Sequence, residues 1–197
     1  MSDAPLLILA SGSPRRRDLL EEAGYRFQVE NPGIEENEDT SLPIRQLTAE
    51  NARDKAVAVS GRFPDAVVVA ADTLVLLGDT VLSKPADRAE ATRMLASLNG
   101  RSHEVFTAVA MRRATTETAV DLTVTTAVHF RNLTSDEQAD YHSRIDPMDK
   151  AGAYAAQDHG ALIIDRIEGS MSNVIGLPMD EVAAALREHF GIKPVPR

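Results

Sequence analysis

The run AVVVAADTLVLL, residues 66–77, limits the folds open to this 197-residue chain more than any other feature. Every residue in it is apolar except Asp72 and Thr73. Apolar side chains at both strand parities mean a strand covered on both faces, which requires a layered sheet with helices against it. A carboxylate buried unpaired in such a run costs on the order of several kcal/mol. Asp72 therefore belongs at a point where the strand faces a cleft and a cation or metal compensates it. A turn-making aspartate ahead of Gly78 is the plainer alternative, but Leu74 to Leu77 carry the strand pattern past it. General base or Mg²⁺ ligand are the roles that fit.

Around this run, strand and helix periods alternate. Leu6 to Ala10 reads as a short buried strand, followed by Ser11-Gly12-Ser13-Pro14 and a helix. Ser13 suits the N-cap, Pro14 the first helical position and Gly24 the far end. Phe27 and Val29 mark a second strand. Ser41-Leu42-Pro43 opens a helix to about Ser60, with Ile44, Leu47, Ala52, Ala56 and Val59 near one face. Gly78-Asp79 predicts a two-residue hairpin into Val81 and Leu82. Asp87 caps a helix ending near Gly100, and residues 105–111 and 122–130 alternate as strands. Thr134 with Glu137 predicts a capping box. Residues 161–167 read as a strand, Pro178 starts the last helix, and residues 193–197 read as a frayed tail. With hairpins among the crossovers, the expectation is one α/β domain over residues 1–197 with a mixed sheet.

Composition removes several classes. There is no cysteine, hence no disulfide framework, no Cys–zinc site and no thiol nucleophile. The opening residues lack the basic segment of a signal peptide, and no run reaches the ~20 apolar residues of a membrane helix. With 21 Lys plus Arg against 30 Asp plus Glu, the net charge of −9 argues against nucleic acid or anionic membrane as a partner. A cytoplasmic protein is expected.

The turn Ser11 to Arg17 is the first place where chemistry concentrates. A strand leads through small residues into a helix N-terminus, an arrangement suited to phosphate. Three arginines in a first turn oppose the helix dipole unless an anion sits among them. A solvated basic patch is the alternative, and the Walker spacing is absent. Lys55 lies about two turns beyond Leu47, close to the buried stripe. Lys84 precedes Pro85, and Lys150 follows Asp149. Each alone reads as a surface lysine; together with Arg15 and Arg16 they supply the charge a triphosphate needs. Glu35 and Glu36 sit in an acidic loop, and the five histidines show no ligand spacing.

Taken together, SGSPRR at Ser11–Arg16, AADT at Ala70–Thr73, SKP at Ser83–Pro85, DKAGAYAAQ at Asp149–Gln157 and GSMSNVIGLP at Gly169–Pro178 resemble the Maf family of nucleoside triphosphate pyrophosphatases. The resemblance spans residues 6–190 and implies an elongated mixed sheet flanked by helices around a central cleft. It implies hydrolysis of a nucleoside triphosphate to monophosphate and diphosphate with a divalent cation, Mg²⁺ or Mn²⁺. By that resemblance Asp72 is the proton acceptor, Ser11, Ser13, Arg15, Arg16, Lys55 and Lys84 surround the phosphates, and Glu36 joins Asp72 as a metal ligand. Arg15, Thr73 and Gln157 resemble the branch acting on dTTP and UTP rather than the one acting on 7-methyl-GTP. A Gln amide both donates and accepts, as the edge of uracil or thymine requires. Ser172-Asn173 is a point where close relatives of that branch can differ. A homodimer, a nucleotide-pool house-cleaning role and a link to arrest of cell division also come with the resemblance. A nucleotide-binding regulator of septum formation and a purine-directed pyrophosphatase are the alternatives.

Overall fold

In the computed structural model the run of residues 66–77 becomes strand β3, Val67–Leu77, with nine of its eleven residues buried. The structure describes residues 5–39 and 41–195; the start of the chain and the last two residues of the expected tail lie outside them. Around β3 the strands β1 (Leu7–Leu9), β2 (Gln28–Val29), β4 (Thr80–Leu82), β5 (Ser102–Arg113), β6 (Thr118–Phe130) and β7 (Ile164–Glu168) complete a seven-stranded sheet. Its order is β2-β1-β3-β5-β6-β7, with β4 paired to β3. The sheet is mixed: β1 runs parallel to β2 and β3, while β3–β4 and β6–β7 are antiparallel. Helices α1 (Pro14–Glu22), α2 (Ile44–Ser60), α3 (Arg88–Leu98), α4 (Ser135–Arg144), α5 (Met171–Ile175) and α6 (Met179–Phe190) are interspersed among the strands. The fold is an α/β sheet flanked by helices, as the two interleaved periods require.

By its contacts the chain falls into two compact units. The first comprises the chain up to Asp72, Thr107–Val124 and the chain from Gly176 on; the second comprises Thr73–Phe106 and Thr125–Ile175. The first has a core of small residues. Ala52, Ala56 and Val59 of α2 pack on Ile8, Val68 and Ala70 of β1 and β3. Alanines let the helix backbone approach the sheet closely, which shortens the reach of any polar side chain the helix carries. The second has a bulky core, with Met94, Leu95 and Leu98 of α3 packed with Phe130, Tyr141 and Tyr154.

Local signals held where a side chain had one partner to find. Asp87 accepts from the Glu90 N–H at 2.7 Å, and Thr134 with Glu137 forms both bonds of the capping box. Gly78 and Asp79 form the β3–β4 turn, with Leu77 opposite Thr80. Three expectations need correction. Ser13 occupies the N-cap of α1, but its hydroxyl makes no capping bond; Ser11 Oγ acts as the local acceptor instead, receiving the Ser13 N–H at 3.2 Å. Residues 160–162 form a 3₁₀ turn, closed by the Ile163 N–H on the Gly160 carbonyl, so the last strand starts only at Ile164. Finally, Val195 donates its N–H to the Gly24 carbonyl at 2.9 Å and Ile192 is buried, so the tail is pinned that far.

Candidate active site

Asp72 lies on β3 and is 6% exposed. Burial of this degree demands a counter-charge, and α2 supplies it. Lys55 Nζ donates to Asp72 Oδ1 at 2.8 Å and lies 2.8 Å from Glu36 Oε1 as well. Lys55 is itself buried, with its side chain 7% exposed. One cation therefore bridges two carboxylates, Asp72 buried and Glu36 about a third exposed at 36%. At such distances the ammonium is attracted to both carboxylates.

The first turn of α1 brings arginine to the same unit. Arg16 Nε donates to the Gly176 carbonyl at 2.8 Å, and its Nη1 donates to Ser11 Oγ at 3.1 Å. Burial lowers the Arg16 guanidinium below its ordinary value; Asp72 opposes that, neighbouring Arg15 adds to it, and Glu36 opposes it again. An arginine remains charged through such a shift. Ser11, Arg15, Arg16, Glu36, Lys55 and Asp72 all belong to the first unit, where Lys55 pairs with both carboxylates. Ser13 and Arg15 are half-buried in the same turn.

Thr73, Lys84 and Gln157 belong to the second unit. Lys84 and Gln157 are exposed, and Thr73 is half-buried. The segment preceding Gln157 is firmly held. Tyr141 Oη donates to the Ala155 carbonyl at 3.0 Å and accepts the Ala155 N–H at 2.9 Å. The Gly152 N–H donates to the Ser83 carbonyl at 3.1 Å, tying the Lys84 turn to the same segment. Gly152 has φ +70°, and a Cβ there would come within 3.2 Å of Val75 Cγ2, so both space and backbone call for glycine. Tyr154 is bonded to His103 Nε2 at 2.9 Å, in an edge-to-face trio with Phe130. Burial holds the His103 pKa down to about 4, with His129 adding to the effect, so this ring is neutral. Burial pushes Tyr141 up to about 12. Lys150, counted among the candidate cations, is engaged by Asp149 Oδ1 and the Asp146 carbonyl, each at 2.6 Å.

Asn51 was not legible in the sequence as a site residue. It is 4% exposed, one helical turn before Lys55, and its Nδ2 lies 3.5 Å from Asp72 Oδ2. Its only sequence signal is the i, i+4 relation to Lys55 on a buried face. Asn173 is likewise fully buried, donating to the Val105 carbonyl at 3.1 Å and Thr126 Oγ1 at 3.0 Å. Asn173 therefore serves to anchor a five-residue helix in the second unit.

Among the described residues no group of three or more His, Cys, Asp or Glu side chains converges to hold a metal. The donor set at the site is the pair Glu36 and Asp72. Magnesium is commonly held by one or two carboxylates, with substrate phosphate oxygens completing its shell. The pair fits a cation that arrives with a triphosphate.

Comparisons with known proteins identify the family. The family model described as Maf-like protein matches residues 6–189. A protein of Myxococcus xanthus named dTTP/UTP pyrophosphatase is 45% identical over 195 residues, 99% of this chain and 97% of the relative. Relatives of the same name from Akkermansia muciniphila and Desulforamulus reducens are 46% and 43% identical, covering 92% and 96% of this chain and 95% and 98% of their own lengths. A lysine-bridged carboxylate pair, with Asp72 buried, is thus met in a chain that belongs, over nearly its whole length, to the Maf family.

Proposed function

We propose that the protein is a nucleoside triphosphate pyrophosphatase that hydrolyses dTTP and UTP to the monophosphate and diphosphate. The observation that carries this reading is Asp72, a buried carboxylate that accepts from Lys55 Nζ at 2.8 Å and lies 3.5 Å from Asn51 Nδ2. Such a group accepts the proton of a water attacking the α-phosphorus. The water oxygen bonds to phosphorus, the α–β bridging bond breaks, and diphosphate leaves with the electron pair. Hydrolysis of this kind rests mainly on positioning and on charge placed where charge develops. Ser11, Ser13, Arg15, Arg16 and Lys84 take the phosphates in this reading, and Lys55 adds to that charge while countering Asp72. Glu36 and Asp72 would hold a divalent cation, Mg²⁺ or Mn²⁺, which would supply positive charge to the transferring phosphates.

The choice of pyrimidine follows from Arg15, Thr73 and Gln157, in keeping with relatives named for dTTP and UTP. In this account both units serve one catalytic domain, the protein acts in the cytoplasm on the nucleotide pool, and a homodimer is its working form. No helix among the described residues is long and apolar enough to cross a membrane.

Incubation with Mg²⁺ and each of the common nucleoside triphosphates tests the reading. Diphosphate should appear from dTTP and UTP well ahead of dGTP, dATP and dCTP. Release from purines alone, or from none, overturns it. Exchange of Gln157→Glu should erode the preference for dTTP; an unchanged ranking removes Gln157 from base recognition.

A further inference from the structure

Asn51 makes more contacts than a helix side chain requires. Its Oδ1 accepts the Asn37 N–H at 2.8 Å and its Nδ2 donates to the Asn37 carbonyl at 3.0 Å, so one carboxamide pairs with one residue's backbone as a neighbouring strand would. The same Nδ2 is 3.5 Å from Asp72 Oδ2. Asn37 is exposed and follows Glu36 directly in the acidic loop GIEENED, which has no regular secondary structure. A loop of that kind has no intrinsic reason to hold a carboxylate in one place, and six of its seven residues are polar or charged or glycine. Yet Glu36 Oε1 lies 2.8 Å from Lys55 Nζ, the cation that also neutralises Asp72. Asn51 and Lys55 are one turn apart on the same face of α2, so the amide that holds the loop and the ammonium that receives Glu36 are set by one rigid helix.

We propose that Asn51 is a positioning residue: its carboxamide fixes the backbone at Asn37 so that Glu36 is delivered to Lys55 and Asp72. The inference rests on the assignment of Glu36 and Asp72 to the hydrolytic site. Without the amide the loop keeps its water-exposed backbone groups satisfied by solvent, so the fold survives while the carboxylate loses its fixed place. A misplacement of about 1 Å at such a site lowers turnover by as much as 10²-fold.

A double-mutant cycle on kcat/KM for dTTP distinguishes positioning from general support. Asn51→Leu keeps volume and apolar contact but removes both bonds to Asn37; it is made alone and in Glu36→Gln. Acting through Glu36, it should cost about ten- to a hundredfold in the native background and less than about twofold in Glu36→Gln. The preference for dTTP over dGTP should stay fixed in both. Equal losses in the two backgrounds overturn the inference, because a merely structural residue acts independently of Glu36. If Asn51→Leu does not fold, Asn51→Ala on the same cycle decides by the same criterion. No turnover in the native protein, or full turnover in Glu36→Gln, defeats the reading of the site and this inference with it. A normal Glu36→Gln loss with additive Asn51 variants defeats the inference alone.

Discussion

Helix α2 carries two charge clusters of opposite design on its two sides. On the inner side Lys55 sits between two carboxylates, Asp72 and Glu36, at 2.8 Å from each. On the outer side Asp121 sits between two guanidiniums, with Arg53 Nε and Arg112 Nη1 each at 2.7 Å. Arg53 and Lys55 are two residues apart, which on a helix places them on opposite faces. The geometry is equally close in the two; the surroundings are not. Lys55 and Asp72 are 7% and 8% exposed at their side chains, whereas Arg53 and Asp121 are 49% and 35% exposed. Partial burial raises the Asp121 pKa, but its bonds to Arg112 and then Arg53 outweigh that and hold it below the ordinary carboxylate range. Water shares the work of neutralising the outer cluster. Lys55 and Asp72 of the inner cluster have little water to share that work, so each depends more on its charged partner.

Removal of the central charge on each side should therefore have unequal consequences. Lys55→Met leaves Asp72 buried without its cation. A loss of about 3–5 kcal/mol is expected in urea unfolding near neutral pH, together with loss of diphosphate release. A loss as small as that of the outer cluster would erase the contrast drawn between them.

His103 sharpens the same point from the other direction, since burial and then His129 both disfavour its charged form. Its folded pKa is about 4 against an ordinary 6.5. Between those values the unfolded chain binds the proton and the folded one does not, so stability falls as pH drops from 6.5 and levels off below 4. Between pH 7 and pH 4.5 this one ring should account for roughly 2–3 kcal/mol of the acid loss. His103→Phe should flatten the pH dependence of the unfolding free energy by that amount. An unaltered slope would mean that burial does not keep this ring neutral.

The smallest effect belongs to the outer cluster. Asp121→Asn should change the unfolding free energy by less than about 1 kcal/mol and leave diphosphate release unaltered. A cost matching that of Lys55→Met would show that pairing geometry, not burial, sets the value of these contacts.

The sequence made the inner cluster half visible. Asp72 was conspicuous because ten apolar residues share its run, and Lys55 because the helical period puts it near the stripe of Leu47 and Ala56. Glu36 reached the site only by family resemblance, since nothing local in an acidic loop says where it folds. Asn51 stayed hidden for a related reason: its partner is the backbone of Asn37, and a backbone carries no residue-specific signal. The same limit explains Ser13, whose type predicts a cap although the bonding falls to Ser11. Capping at Asp87 and Thr134 was readable because donor and acceptor lie within one turn of chain. The helix Met171–Ile175 was not, because it hangs on the long-range bonds of Asn173 to Val105 and Thr126.

The most direct measurement is diphosphate release from dTTP, with Mg²⁺, by the native protein and by Asp72→Asn, alongside equilibrium binding of dTTP to each. The substitution is nearly isosteric and removes the basic oxygen. Turnover should fall by about 10²–10⁴-fold while dTTP binding persists, as expected of a lost general base. Undiminished turnover in Asp72→Asn would contradict the account, because the buried carboxylate at its centre would then have no part in the reaction.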